Sequence, residues 1–204
     1  MSDLCIDLCC GLGGWSDGFA DAGFDVLGID INPQPKYRHP FWQADIRKVR
    51  IGPGIAKVIT ASPPCTEFSY LTAMSAAKGS RGPPDPEGPL GMGLVREVQR
   101  IVREARPDFW IMENVQGAIR YIPEQPRIER RPWYFWGDFP DFLFPTSNRY
   151  LKGATWRFIP KGSRRGGFHT KQQDERGYIP RGISRPFAEA CKRPKEARSS
   201  EVPK

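Results

Sequence analysis

The chain has 204 residues, enough for one domain with a sizeable core, and a net charge of +8. No apolar run approaches the roughly eighteen residues of a membrane span, and no basic stretch at the N-terminus leads into an apolar one, so neither a transmembrane segment nor a secretory leader is expected. Five cysteines, an odd count, fit reduced thiols in a cytoplasmic setting; Cys5, Cys9 and Cys10 have no paired C-x-x-C or histidine partner, so no metal is expected.

"LCIDLCC" (4–10) reads as a buried strand. The glycines of "GLGGWSDGFADAG" make a tight turn, after which Trp15, Phe19 and Ala22 recur at helical spacing and Gly23 stops the helix. "FDVLGIDI" (24–31) is a second strand ending at Asp30, and "FWQADI" (41–46) a short strand or turn ending near Asp45. "AKVITAS" (56–62) is a strand that runs into Pro63, Pro64 and Cys65. Residues 75–93 are rich in glycine and proline and read as a long loop. "LVREVQRIVREA" (94–105) has the apolar period of a helix, and "DFWIMENV" (108–115) is a strand ending at Glu113 and Asn114. Strands alternating with helices predict a doubly wound, mostly parallel α/β sheet. Beyond residue 120 the pattern weakens: strands are expected at 133–136 and 154–160, and a closing helix at 185–193. Residues 1–35 hold six aspartates and no lysine or arginine, whereas 161–204 hold twelve basic residues against five acidic ones. The basic end favours a polyanion such as nucleic acid, although 193–204 reads as a solvated, disordered tail.

In a sheet of this kind ligands bind beyond the carboxyl ends of the strands. The residues there are the glycine turn, Asp30, Asp45, Pro63-Pro64-Cys65 and Glu113-Asn114. A glycine turn before a helix lets a ligand approach the backbone, and a carboxylate at the end of the second strand can bind ribose hydroxyls. Two prolines stiffen the loop that presents Cys65.

Taken in order, these motifs resemble the cytosine-C5 methyltransferase family, which uses S-adenosylmethionine. "DLCCGLGG", "GIDINP", "QADI", "SPPCTEFS" and "ENV" are similar to five of its motifs, over about residues 3–120. The resemblance implies a Rossmann-like methyltransferase fold and a cofactor site at Asp7, Cys9, Gly11, Leu12, Gly13, Gly14, Asp30, Ile31, Asp45, Ile46 and Pro63. Asp30 would meet the ribose and Asp45 the adenine amino group. Cys65 would be the nucleophile that adds to C6 of a cytosine flipped out of duplex DNA, and Glu113 the proton donor to N3. Ser62, Pro64, Ser69, Lys78, Arg81, Asn114, Arg127, Arg130 and Arg131 would meet the DNA.

The chain also departs from the family. Cys9 stands where an aromatic residue is usual, with Trp15 and Trp42 as candidates to replace it. "EQPRIERRPWYFWG" only partly matches the Gln-x-Arg-x-Arg motif, and "GYIPRGISRPFAEA" resembles the last motif in Pro180 and the following helix but lacks its Asn. Little chain remains for a target-recognition domain, as in compact phage-type members. The expected division is a cofactor and catalytic core (1–120), a reduced recognition and pocket-closing region (121–192) and the tail (193–204). Short specificity, a monomer, and a possible auxiliary specificity partner follow, with "TSNRYLKGATWRF" (146–158) and "KGSRRGGFHTKQQ" (161–173) as groove readers. The residues leave other readings open: an RNA cytosine methyltransferase, a donor with a group larger than methyl, or a non-catalytic cofactor- or DNA-binding module.

Overall fold

The computed structural model describes residues 3–69, 77, 79, 82–130, 133–142 and 178–194. Lys78, Arg81 and Arg131, the expected strand at 154–160, the groove-reading stretches 146–158 and 161–173 and the tail from 195 lie outside the described residues.

Seven strands form one sheet: β1 (Leu4–Leu8), β2 (Asp25–Asp30), β3 (Phe41–Gln43), β4 (Val58–Ala61), β5 (Phe109–Asn114), β6 (Ile128–Arg130) and β7 (Trp133–Asp138). Their spatial order is β3-β2-β1-β4-β5-β7-β6, and β7 alone runs against its neighbours. The doubly wound, mostly parallel α/β fold expected from the alternating pattern is therefore present. β6 and β7, which follow the motif-rich stretch in sequence, extend the same sheet. β4 is buried on both faces, as a central parallel strand between two helical layers must be.

Three helices are described: α1 (Gly14–Asp21), α2 (Met92–Ala105) and α3 (Arg181–Cys191). On one face of the sheet α2 buries Leu94, Val95, Val98, Ile101 and Ala105 against Ile6, Ile59 and Met112. Its Arg100 donates to the carboxylates of Glu97 and Glu104 and to the carbonyls of Ile46 and Val49, which fixes the chain after β3 to the helix. On the other face α1 and α3 enclose an aromatic cluster in which Trp15, Phe19, Phe135 and Phe187 meet edge to face at 5.6–5.9 Å. The closing helix begins at Arg181, four residues before the expected start at 185. Ile183 and Phe187, both fully buried, extend the apolar stripe backwards, Pro180 caps it, and Pro186 is accommodated inside.

The sheet changes its direction of growth between β1 and β4. Their carboxyl ends, Leu8 and Ala61, are paired in register, so the glycine turn and the Pro63-Pro64-Cys65 loop leave the sheet side by side.

Candidate active site

β1 runs directly into the glycine turn. Gly11 has a left-handed φ of +49°, and a Cβ built there meets nothing within 4 Å, so the turn faces open space. Its N–H donates to one oxygen of Asp30 (3.1 Å), and the N–H of Asn32 donates to the other (2.9 Å). Asp30 thus ties the end of β2 to the turn. Ile31, next along, is 53% exposed, and Trp42 on β3 is 48% exposed. An open left-handed turn beside a carboxylate and exposed apolar side chains suits a ligand with ribose hydroxyls and a flat base. The donor set therefore fits S-adenosylmethionine.

The remaining cofactor candidates divide. Leu12 and Cys9 are half-buried beside the turn, and Cys9 adopts a left-handed φ of 55°. Gly13 is buried under the ring of Tyr37. Gly14 is needed for packing, because a Cβ there would collide with the backbone of Ile179. Ile46 lies in the core, and Pro63 is buried. Asp45 is held well below the usual carboxylate range by hydrogen bonds from the side chain and backbone of Arg47, whose Nη2 lies 2.6 Å away. Asp7 is fully buried and accepts from Ser16 Oγ (2.6 Å) and Thr60 Oγ1 (3.0 Å). Burial pushes its carboxyl up to about 6. Trp15, a candidate to replace the missing aromatic residue, is instead part of the core, whereas Trp42 is at the surface.

Cys65 follows the two prolines and opens a 3-10 turn over Thr66–Phe68, with its carbonyl accepting from Phe68 N. The loop is held from β5: the fully buried Asn114 donates from Nδ2 to Pro63 O (3.2 Å) while its Oδ1 accepts from Val115 N (2.9 Å). Both capacities of the amide are therefore used on backbone, which makes Asn114 a clamp. Pro64 is exposed, Ser62 and Ser69 are half-buried, and Glu67 accepts from Asp85 N (2.8 Å), which anchors the far end of the long loop.

Glu113, one residue before the end of β5, lies beside this loop and is half-buried. Burial pushes its carboxyl up to about 7, against the pull of a hydrogen bond from Ser62. Burial, and then the charge of Glu113, push the Cys65 thiol up to about 11. The Cys65 thiol is thus within the field of the Glu113 carboxyl at the neighbouring ends of β4 and β5.

Of the arginines, Arg130 closes β6 at the same edge of the sheet, opposite Trp133. Arg127 is occupied elsewhere: its guanidinium donates to Phe139 O and Asp141 and stacks on the Phe139 ring. It also borders a cavity of about 310 Å³ between α2 and β7, lined by Arg103, Trp110 and Trp136.

One cluster was not visible in the sequence. The buried Asp17 of α1 meets Arg38 (2.6 Å), His39 (2.9 Å), Tyr178 (2.8 Å) and Arg181 (3.6 Å). Burial opposes its ionisation, yet these partners hold it below the usual carboxylate range. It pins the segment before α3, and the loop after β2, to the helix that starts at the glycine turn. An aspartate within the small-residue face Gly14/Gly18 was the available signal.

The sequence model of the C-5 cytosine-specific DNA methylase family matches residues 4–121. The chain belongs to this family. Among relatives, Type II methyltransferases M.HgiDI and M.HgiGI of Herpetosiphon aurantiacus are each 32% identical over 126 residues, 55% of this chain. The match spans 37% of the length of M.HgiDI and 90% of M.HgiGI. A solved structure of a prophage-encoded E. coli protein, described as a DNA modification methyltransferase, is 23% identical, with a TM-score of 0.44 over 67% of this chain and 47% of that one. The family membership expected from the five ordered motifs is thereby met. Among the described residues no helix is long and apolar enough to cross a membrane, and no group of residues could hold a metal ion.

Proposed function

We propose that the chain methylates C5 of cytosine in duplex DNA. The observation that carries the reading is the register of β4 and β5, which brings the Pro63-Pro64-Cys65 loop and Glu113 out of the sheet side by side, with Asn114 tying the loop to β5. Cytosine C5 is a poor nucleophile. Attack of the Cys65 thiolate on C6 forms an S–C6 bond, and the ring electrons gather at N3 and O2. Glu113 gives its proton to N3 and becomes a carboxylate, leaving C5 enamine-like. S-adenosylmethionine, when bound by the glycine turn, Asp30 and Ile31, supplies an electrophilic methyl group. Loss of the C5 proton to water then expels Cys65, and N3 returns its proton to Glu113. Reaching the ring atoms in a duplex requires the base to be flipped out.

Between about pH 7 and 11 the pair holds one proton, and the productive form, with the proton on Glu113 and Cys65 ionised, is the minor tautomer that base binding draws on. A cytosine ring that takes the proton at N3 while accepting the thiolate at C6 does so in one encounter.

In this reading Ser62, Pro64 and Ser69 meet the base, Asn114 holds the loop that presents Cys65, and Arg130 closes β6 at the same edge of the sheet. The chain acts as a monomer in the cytoplasm and reads a short site, alone or with an auxiliary specificity partner. The test is nucleoside mass spectrometry after incubation with S-adenosylmethionine and mixed-sequence duplex DNA, with Cys65→Ala alongside. 5-Methylcytosine made only by the intact protein supports the reading. Unmodified duplex with methylated RNA transfers it to RNA, and no methylated product removes it.

A further inference from the structure

β2 has a glycine in its interior, Gly28, paired with Asp7 of β1. A glycine inside a strand marks a close approach by another group. Here the group is Tyr37, from the loop after β2. A Cβ built on Gly28 would collide with the Tyr37 hydroxyl, and one built on Gly13 would lie 2.8 Å from Tyr37 Cε2. The half-buried Tyr37 ring therefore lies against both β2 and the glycine turn. Its hydroxyl is 2.7 Å from Ser16 Oγ, which donates to Asp7 at 2.6 Å. Ser16 has one hydrogen and gives it to Asp7, so the phenol donates to Ser16. Burial raises the Tyr37 hydroxyl above its ordinary value, so it keeps the hydrogen that this bond needs.

We infer that Tyr37 is a positioning residue for the cofactor turn, holding Gly13 from behind so that Gly11 stays where it meets Asp30. The inference rests on the S-adenosylmethionine reading for its purpose, though not for its geometry. The turn is closed by the Gly13 N–H on Cys10 O (2.8 Å) and tied to β2 by the Cys10 N–H on Ile29 O (3.2 Å) and the Gly11 N–H on Asp30 (3.1 Å). Gly11 and Gly13 both have left-handed φ angles and no side chains to hold them, so the turn's rigidity must come from its neighbours. Tyr37 is itself fixed. Its N–H donates to Gln34 O (2.9 Å), and its ring meets those of His39 and Phe41 at 5.5 and 5.6 Å. Arg38 and His39, next along, both bind Asp17. Three successive side chains thus tie the loop after β2 to α1, the helix that begins at the turn. A ligand that binds across the turn and Asp30 meets a surface already ordered, which favours its affinity.

The experiment is calorimetric titration of the full chain with S-adenosylhomocysteine at pH 8, for the parent, Tyr37→Phe and Tyr37→Leu. Tyr37→Leu loses ring and hydroxyl and should raise Kd about tenfold, whereas Tyr37→Phe keeps the ring and should raise it only about threefold. Alkylation of Cys65 by iodoacetamide, followed by peptide mass spectrometry, should run at the parent's rate in both, because Tyr37 supports the turn and not the Cys65 loop. A Tyr37→Leu chain that binds as the parent does overturns the inference. So does one whose Cys65 alkylation quickens along with the lost affinity, since the whole core has then loosened. Should Tyr37→Leu not fold, a Tyr37→Phe chain with the parent's Kd overturns it. Amide exchange of Gly13 is read by NMR in parallel. If the parent binds no S-adenosylhomocysteine, the cofactor reading falls; faster Gly13 exchange in the variants then still supports Tyr37 as the prop of the turn, and unchanged exchange removes that too.

Discussion

Two carboxyl groups lie near the switch point of this sheet, and burial raises both, Asp7 to about 6 and Glu113 to about 7. Their surroundings differ. Asp7 sits inside the sheet under α1, with hydroxyls of Ser16 and Thr60 on its two oxygens. Glu113 stands at the edge with Ser62 as its hydrogen-bond partner, and faces a thiol that its charge perturbs. A raised carboxyl therefore does not by itself mark chemistry. Hydroxyls on both oxygens mark a joint between elements, whereas a neighbouring thiol marks a candidate proton donor.

The sharpest break in that comparison is at the thiol. Cys65→Ala should abolish methyl transfer, by more than about 10⁴-fold, while leaving the fold intact, as read by circular dichroism and a turnover assay. Glu113→Gln comes next. Its activity should drop by about 10²–10⁴-fold, because the amide has no proton to give. Stability should move the other way. Glu113 rises from an ordinary 4.5 to about 7 on folding, so the folded state holds the extra proton. The stability it lends is complete below pH 4.5 and is lost as pH climbs to 7, after which the buried carboxylate is a burden of up to about 3 kcal/mol. At pH 8 the glutamine variant should melt higher than the parent. Activity with pH tests the shared proton: kcat/KM should climb about tenfold per unit up to about pH 7 and then level off, since thiolate gained is balanced by acid lost. A profile that keeps climbing tenfold per unit beyond pH 7 would separate the two groups.

The parts of the site that were legible are those set by local chain. An apolar run that ends in a glycine turn, in Asp30, in Pro63-Pro64-Cys65 or in Glu113-Asn114 announces both a strand and what its end presents. Those same runs predicted β1, β2, β4 and β5 to within three residues. What was not legible needs the third dimension. Asp17 gathers Arg38 and His39 from one stretch and Tyr178 and Arg181 from another, far along the chain, and no spacing encodes that. Arg127 looked like a phosphate contact, yet its guanidinium is committed to Phe139 and Asp141. The family resemblance implied a cofactor role for Asp7; its register beside Thr60 and the hydrogen bond it accepts from Ser16 place its carboxyl in the interior. β6 and the two 3-10 turns carry too few residues for a period to show.

The smallest expected effect tests the structural side of the comparison. In Asp7→Asn the amide oxygen can still accept from Ser16, and its nitrogen can donate to the Thr60 hydroxyl, so the joint between β1, α1 and β4 is kept. The change removes only the charge that burial penalises. Asp7 rises from 3.8 to about 6 on folding, so its contribution to stability is complete below pH 3.8 and fades by about pH 6. Above that the carboxylate costs roughly 1–3 kcal/mol that the amide avoids. Thermal melts at pH 8 should show the variant equal to or above the parent, the difference shrinking toward pH 4, and methyl transfer should stay within about threefold. A variant that keeps its stability but loses turnover by orders of magnitude would move Asp7 from the interior joint to the reacting side of the site, and its two hydroxyl partners would no longer mark it as structural.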